Sequence, residues 1–282
     1  MAALRYTENL PQLAPQAYEL SGRLCGTCGE LHALWTYIRM SRAAIGVHGQ
    51  ASRLETQLSD LLAGGRRDVL IAGSQDTGLL ALTARAGAEH GASIVVMDLC
   101  ETPLELCRRL ARQWSLPIET VRQDLLALDI ERRFDLVLVH GTLQFIAADR
   151  WGDALARLQR ALRPGGRLVL LFNTGRSIVG EDARAARAGY PTWVLDELKR
   201  LDVALPDTDA VMRARLAAAA RLREAREGKF AEPAEVEALL AAADFKVESV
   251  RPVDVEVATP MDGFLAKVAL RRFIAIAEPK HA

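Results

Sequence analysis

Two short stretches of this chain carry residue types suited to holding a nucleoside. Asp68-Val-Leu-Ile-Ala-Gly-Ser-Gln-Asp-Thr-Gly78 runs from an apolar segment into a glycine-bounded turn. Ser93-Ile-Val-Val-Met-Asp98 ends a second apolar segment on a carboxylate. Glycine lets the backbone approach a ligand closely, and an acid at the tip of the next strand can accept hydrogen bonds from ribose hydroxyls. The pair predicts a βαβ unit around an adenosine-type cofactor. His140 closes a third apolar run. An imidazole there can act as a base near neutral pH, or can simply line the pocket and bond the turn at Gly141.

Cys25-Gly-Thr-Cys28, followed by His32, offers metal-ligand chemistry. Zinc requires four ligands, and only His48 or an acid stands nearby in sequence as the fourth. Cys100 and Cys107 fall within the cofactor region, and no thioredoxin-like strand precedes the pair. No metal is expected on these grounds, and the two cysteines read as packing in a helical cap. The same region holds Trp35, Tyr37, Arg39, Arg42 and His48. Aromatic and basic side chains together can stack on and orient a substrate, so Trp35, Tyr37, Arg42 and His48 are candidate substrate residues; aromatics at helical spacing also fill cores.

The elements that position these groups follow from periodicity. Leu31, Leu34, Trp35 and Ile38, then Leu54, Leu58, Leu61 and Leu62, recur at helical spacing, with breaks at Gly46, Gly49 and Gly64-Gly65. From residue 68 short apolar runs alternate with helices, the pattern of a parallel sheet covered on both faces. Strands are expected at Val69–Ala72, Ile94–Met97, Ile118–Arg122, Leu136–His140 and Arg167–Phe172. Helices are expected at about Gly78–Glu89, Pro103–Trp114 and Arg150–Leu162. Arg163-Pro-Gly-Gly166 reads as a reversing turn. Residues 175–230, rich in Ala and Arg, interrupt the repeat, with one helix expected at about Ala210–Glu227. Its arginines, interleaved with acids, read as a solvated face. A helix opening at Pro233, the run from Phe245 and a last strand at about Arg272–Glu278 complete the sheet.

Charge is balanced, 36 basic against 36 acidic residues, which speaks against a nucleic-acid partner. No apolar run reaches the roughly 18 residues of a membrane helix, and no basic start leads into an apolar stretch. A cytoplasmic protein with reduced thiols and no membrane partner is expected.

With the motifs in this order, residues 66–175 and 231–279 resemble the class I S-adenosylmethionine-dependent methyltransferases. The family's glycine-rich motif resembles Val69–Gly78, and its ribose-binding acid matches Asp98. The acid facing the adenine amino group matches Asp124 in Val-Arg-Gln-Asp-Leu-Leu. The fourth-strand signature resembles Phe134–Phe145, and the post-helix turn resembles Leu162-Arg-Pro-Gly-Gly-Arg-Leu. The resemblance implies an α/β fold: a mostly parallel, seven-stranded Rossmann-like sheet with helices on both faces. It implies S-adenosylmethionine as cofactor, held by Gly73, Ser74, Gln75, Gly78, Asp98, Leu99, Asp124, Leu125 and His140, with His140 also the catalytic candidate.

The chain departs from the family pattern at Ser74-Gln75-Asp76, one residue longer than usual. It also departs at Ile71-Ala72, where a polar residue commonly precedes the first glycine. The Asn/Asp-Pro-Pro-aromatic signature of base-amine methylation is absent. The expected organisation is an N-terminal helical cap over 1–62, a cofactor core over 63–174 and 231–282, and a helical insertion over 175–230. The expected reaction is methyl transfer to a small-molecule acceptor. Alternatives are a methyltransferase acting on protein or RNA, a non-catalytic cofactor-binding module, and a nicotinamide oxidoreductase, whose third turn glycine is missing.

Overall fold

Along each central strand the apolar side chains divide between two faces of one sheet. In the computed structural model, which describes residues 6–26, 28–43, 47, 51–130, 134–174, 181–224, 230–253 and 271–280, Val69, Ile71, Ile94, Val96, Leu136 and Leu138 enter one core. Their neighbours Leu70, Val95, Met97, Val137 and Val139 enter the other. Period-2 alternation with both sides apolar is what a strand buried on both faces requires.

The strands are β1 (Asp68–Ala72), β2 (Ser93–Asp98), β3 (Ile118–Arg122), β4 (Phe134–His140), β5 (Leu162–Thr174), β6 (Phe245–Val253) and β7 (Arg271–Pro279). They form a seven-stranded sheet in the order β3-β2-β1-β4-β5-β7-β6. β1 pairs in parallel with β2 and β4, whereas β7 runs antiparallel to β5 and β6. The order reverses between β1 and β4, and a crevice for a ligand opens there at the strands' carboxyl ends.

Helices α1 (Leu10–Leu24), α2 (Gly29–Met40), α3 (Ala51–Ala63), α4 (Gly78–Gly87), α5 (Glu101–Trp114), α6 (Trp151–Ala161), α7 (Glu181–Arg200), α8 (Asp209–Glu224) and α9 (Pro233–Ala242) surround the sheet. α3, α4 and α5 supply Leu54, Leu58, Leu80, Leu104 and Leu110 to the first core. α6 and α9 supply Leu155, Leu158, Val236 and Leu240 to the second. A third core joins Leu34, Tyr37 and Ile38 of α2 to Val194 and Leu198 of α7 and to Met212 and Leu216 of α8. The N-terminal helices and the 175–230 segment are thus packed on each other. None of the helices among the described residues is long and apolar enough to cross a membrane.

Three expectations are corrected. Arg163-Pro-Gly-Gly166 does not end a helix ahead of a strand that starts at Arg167. It lies within β5, where pairing jumps from Phe134↔Leu162 to Leu136↔Arg167, a wide bulge. Gly165 takes φ 75°, and a Cβ on Gly166 would come within 2.9 Å of the Arg163 carbonyl oxygen. Among its described residues the 175–230 segment holds two helices rather than the one expected, because Tyr190, Val194, Leu195 and Leu198 recur at helical spacing despite Pro191. Arg215 is no solvated side chain: its Nε lies 2.7 Å from Glu30 and its guanidinium sits 4.2 Å from the Tyr18 ring centroid. Gly46, Gly49 and His48 lie outside the described residues.

At the opposite end of the sheet from the crevice, Asp135 fastens two strands. Its Oδ2 accepts from the backbone N–H groups of Arg67 and Asp68, each at 2.9 Å, and its Oδ1 from Arg163 at 3.0 Å. Burial alone would raise its pKa, but those donors outweigh burial and hold it below the ordinary carboxylate range. A group depressed on folding stabilises above its unfolded pKa and loses that contribution as pH falls through the folded value. Asp135→Asn should cost about 1–3 kcal/mol near neutrality. The gap to wild type should close on acidification below about pH 4. Urea unfolding of both proteins across that range checks it, and a pH-independent gap would show that ionisation of Asp135 contributes nothing.

Candidate functional site

The crevice is built from three adjacent strand tips. At the end of β1, Gly73 turns with φ 88°. A Cβ there would collide with the Thr142 side chain, whose Oγ1 donates to the Ala72 carbonyl at 2.8 Å. Only glycine satisfies both the positive φ and the close approach. At the end of β2, Asp98 accepts from the Ser74 N–H at 2.8 Å through Oδ2 and from the Cys100 N–H at 2.7 Å through Oδ1. The acid therefore ties its own turn to the glycine turn. Burial pushes the Asp98 carboxyl up, against the lowering effect of those two N–H groups. Such a carboxylate is under-solvated, and further donors would be favourable.

At the end of β4, His140 lines a cleft of about 370 Å³ together with Trp35, Arg39, Ser74, Gln75 and Asp76. Gln75 carries an unusual feature: its Nε2 is buried with no hydrogen-bond partner among the described residues. A buried donor without an acceptor is costly unless a ligand supplies one.

The longer turn has a local explanation. Asp76 Oδ1 accepts from Gly78 N at 2.8 Å, capping α4, and Ser74 Oγ donates to the Asp76 carbonyl at 2.5 Å. The same Asp76 carboxylate is ion-paired with Arg39 of α2, and Arg39 also reaches Glu8 at 2.8 Å. Thr77 Oγ1 completes the cluster by donating to Glu8. The Arg39 and Glu8 side chains are each only 5% exposed. Burial works against charging Arg39, but Asp76 and Glu8 more than offset it and raise its pKa above the ordinary value.

The structure brings Gly73, Ser74, Gln75, Gly78, Asp98 and His140 to this crevice edge. Leu99, next to Asp98, is 64% exposed, and Leu125 is buried beneath the β3 turn. Asp124 is exposed and accepts from Leu126 N at 2.9 Å, capping the short 3₁₀ turn Leu125–Ala127. Of the substrate candidates, Trp35 lines the cleft. Both Trp35 and Tyr37 enter the third core, and Tyr37, not among the cleft-lining residues, meets Tyr18 edge-on at 6.5 Å. Arg42 is exposed just past the end of α2, with φ 61°. Glu8, Asp76 and Thr142 were missed as site residues. Asp76 was visible as the extra turn residue, whereas Glu8 lies 31 residues from Arg39 and 69 from Thr77 with no motif to mark it.

Loss of Arg39 removes a positive charge from between two buried carboxylates. Arg39→Met should destabilise the protein by about 3–5 kcal/mol, and Glu8→Gln combined with Asp76→Asn in the same chain should recover much of that. Urea unfolding of the single and triple variants measures it; no recovery would mean that Arg39 acts through packing rather than charge.

Comparison with known proteins agrees with this geometry. Residues 73–166 match a family described as a methyltransferase domain. Carboxy-S-adenosyl-L-methionine synthase of Pseudomonas fluorescens (strain Pf0-1) is 35% identical over 86 residues, 28% of this chain and 34% of that protein. The synthase of Cronobacter sakazakii (strain ATCC BAA-894) is 33% identical over 109 residues, covering 37% and 44%. The chain thus spans less than half the length of these curated relatives. A solved structure concerning conversion of a disulfide bond into a thioacetal group during echinomycin biosynthesis shares the fold. Its TM-score is 0.50 at 21% identity, over 80% of this chain and 82% of that one. The matched segment, residues 73–166, runs from the glycine turn after β1 into the bulge of β5 on a sheet of order β3-β2-β1-β4-β5-β7-β6, and in that segment the chain is similar to the S-adenosylmethionine-dependent methyltransferases.

Proposed function

We propose that the chain transfers a methyl group from S-adenosylmethionine to a nucleophile on a small molecule held between the strand tips and α2. The observation that carries the reading is the Asp98 carboxylate, buried at the tip of β2 and bonded to the glycine turn of β1. It has lone pairs left for a vicinal diol. The residues present fit the cofactor: Gln75 Nε2 lacks an acceptor among the described residues, and Leu99 offers an exposed apolar side chain next to Asp98.

In this reading Asp98 holds the ribose hydroxyls, Leu99 covers one face of the adenine, and the Gly73–Gly78 turn faces the amino-acid end. Asp124 and Leu125 border the adenine from the β3 turn. When bound, S-adenosylmethionine supplies a methyl already activated on sulfonium sulfur. The chain's own work is then alignment and exclusion of water, which account for a large part of such rate enhancements.

Trp35 walls the acceptor side of the cleft. His140 takes the proton of an acceptor that arrives protonated, a role worth roughly 10²–10⁴ in rate. Support for a small acceptor comes from the balanced charge of the chain.

Titration calorimetry with S-adenosylhomocysteine should show binding to wild type. Asp98→Asn should bind about 10- to 100-fold more weakly, the equivalent of roughly 1.5–3 kcal/mol. Incubation with methyl-labelled cofactor and a panel of small alcohols, phenols and amines should yield labelled acceptor by mass spectrometry. With that acceptor in hand, His140→Gln should lose the acid limb of the pH–rate profile, and an unchanged profile removes His140 as base. Absence of any cofactor affinity sinks the whole reading. Recovery of a carboxylated S-adenosylmethionine in place of a methylated acceptor would transfer the chain to the chemistry for which its curated relatives are named.

A further inference from the structure

The Cys25-Gly-Thr-Cys28 turn joins α1 to α2, and its surroundings change how it reads. Cys25 is the residue that ends α1, Cys28 precedes α2, and His32 lies one turn into α2. The fold lays this corner against the first residue before α5, which is Cys100. Sequence proximity offered only His48 or an acid as a fourth group, whereas the fold brings Cys100 to this corner from 72 residues beyond Cys28.

We propose that Cys25, Cys28, His32 and Cys100 form a structural zinc site that fastens the N-terminal helices to the β2–α5 turn. One ligand atom from each of the four lies within 4.8 Å of all the others. The Cys25 and Cys100 sulfurs are 3.3 Å apart, those of Cys28 and Cys100 3.7 Å, and Cys25 Sγ lies 3.2 Å from His32 Nδ1. A tetrahedral ion with Zn–S bonds of about 2.3 Å sets its sulfurs about 3.8 Å apart and its sulfur and nitrogen ligands slightly closer. The protein's spacings sit just inside those values, as a cluster would before an ion expands it.

An iron–sulfur cluster interposes several atoms between its cysteines and would hold them farther apart. Three thiolates and an imidazole favour a thiophilic ion over magnesium or calcium. Four protein ligands close the coordination sphere, so the site holds structure and leaves no open position for a reacting water.

The shell around the ligands fits the same role. Thr102 is fully buried, and its Oγ1 lies 2.9 Å from Cys25 Sγ, where its hydroxyl can donate to a thiolate. Neither Cys28 nor Cys100 uses its side chain to cap the helix it precedes, so both sulfurs remain turned to the cluster. The fourth cysteine, Cys107, is buried apart from this group and donates instead to the Asp76 carbonyl at 3.8 Å. The position has a further consequence. Cys100 supplies the N–H that Asp98 Oδ1 accepts at 2.7 Å, so an ion on Cys100 Sγ would hold the turn that carries the Asp98 carboxylate.

The test uses the full chain purified under reducing conditions without chelator. Elemental mass spectrometry should find one zinc per chain in wild type and in Cys107→Ser, and a loss to near zero in Cys100→Ser and in His32→Ala. Because a variant may misfold, wild type itself provides a second reading. Cobalt added to chelator-treated protein should develop the thiolate charge-transfer and visible bands of a tetrahedral site, saturating at one equivalent. Cys25, Cys28 and Cys100 should resist alkylation until chelator is added.

Zinc-free wild type that fails to take up cobalt at one equivalent overturns the proposal. So does peptide mapping that finds two of these cysteines joined as a disulfide in the purified protein. Both outcomes are independent of cofactor affinity, so the metal site and the methyl-transfer reading can fail separately.

Discussion

A carboxylate removed from water must find donors, and in this protein that constraint fixes the geometry of the cofactor end. Asp98 takes one N–H from its own turn and one from the turn of the neighbouring strand. The two bonds make the tips of β1 and β2 a single rigid edge, and the positive φ of Gly73 follows from the path the chain must then take over Thr142. Burial still leaves the acid short of donors. The structural role and the ligand-holding role thus draw on the same group without competing: backbone N–H groups order the turn, and lone pairs remain for hydroxyls.

The second constraint is electrostatic and ties sequence regions that no local pattern connects. The turn after β1 is longer than the family's because Asp76 does two jobs, capping α4 with one oxygen and pairing with Arg39 through the other. Glu8 completes the cluster from the segment before α1. A buried arginine between two carboxylates is weak as a source of stability compared with apolar packing. It is strong as a device of register, because displacing any member strands a charge. The N-terminal helices are thereby held in one position over the glycine turn, and the cleft keeps its wall.

These two constraints explain which parts of the molecule the sequence revealed. β1, β2 and β4 were legible to within a few residues because each is apolar on both faces, and α5 because it carries a single apolar stripe. Gly73 and Asp98 were legible as the ends of two of those runs. The bulge at Arg163-Pro-Gly-Gly166 was not, since a turn-forming tetrapeptide looks the same whether it ends a strand or interrupts one, and pairing to β4 decides. α7 was hidden by Pro191 and by an apolar stripe that faces other helices rather than the sheet. Tyr37 carried the right residue type for a substrate contact, but it enters the third core and is not among the cleft-lining residues. Glu8 gave no signal at all, and Cys100 was visible as a cysteine but not as a neighbour of Cys28, because their partners lie 31 and 72 residues away.

One wall of the cleft is made by α2. Trp35 and Arg39, four residues apart, line the crevice, and Trp35 also joins Leu34, Tyr37 and Ile38 in the core shared with α7 and α8. The Glu30–Arg215 ion pair and the Arg215–Tyr18 stacking fasten the same helices along their edge. A change in the packing of α7 or α8 therefore reaches Trp35 in that shared core, without touching the tips of β1 and β2. Close-packed interiors transmit such displacements rather than absorb them. The division of labour is physical: hydrogen bonds between strand tips fix the sheet edge, and α2, outside the matched segment 73–166, shapes the space beside it.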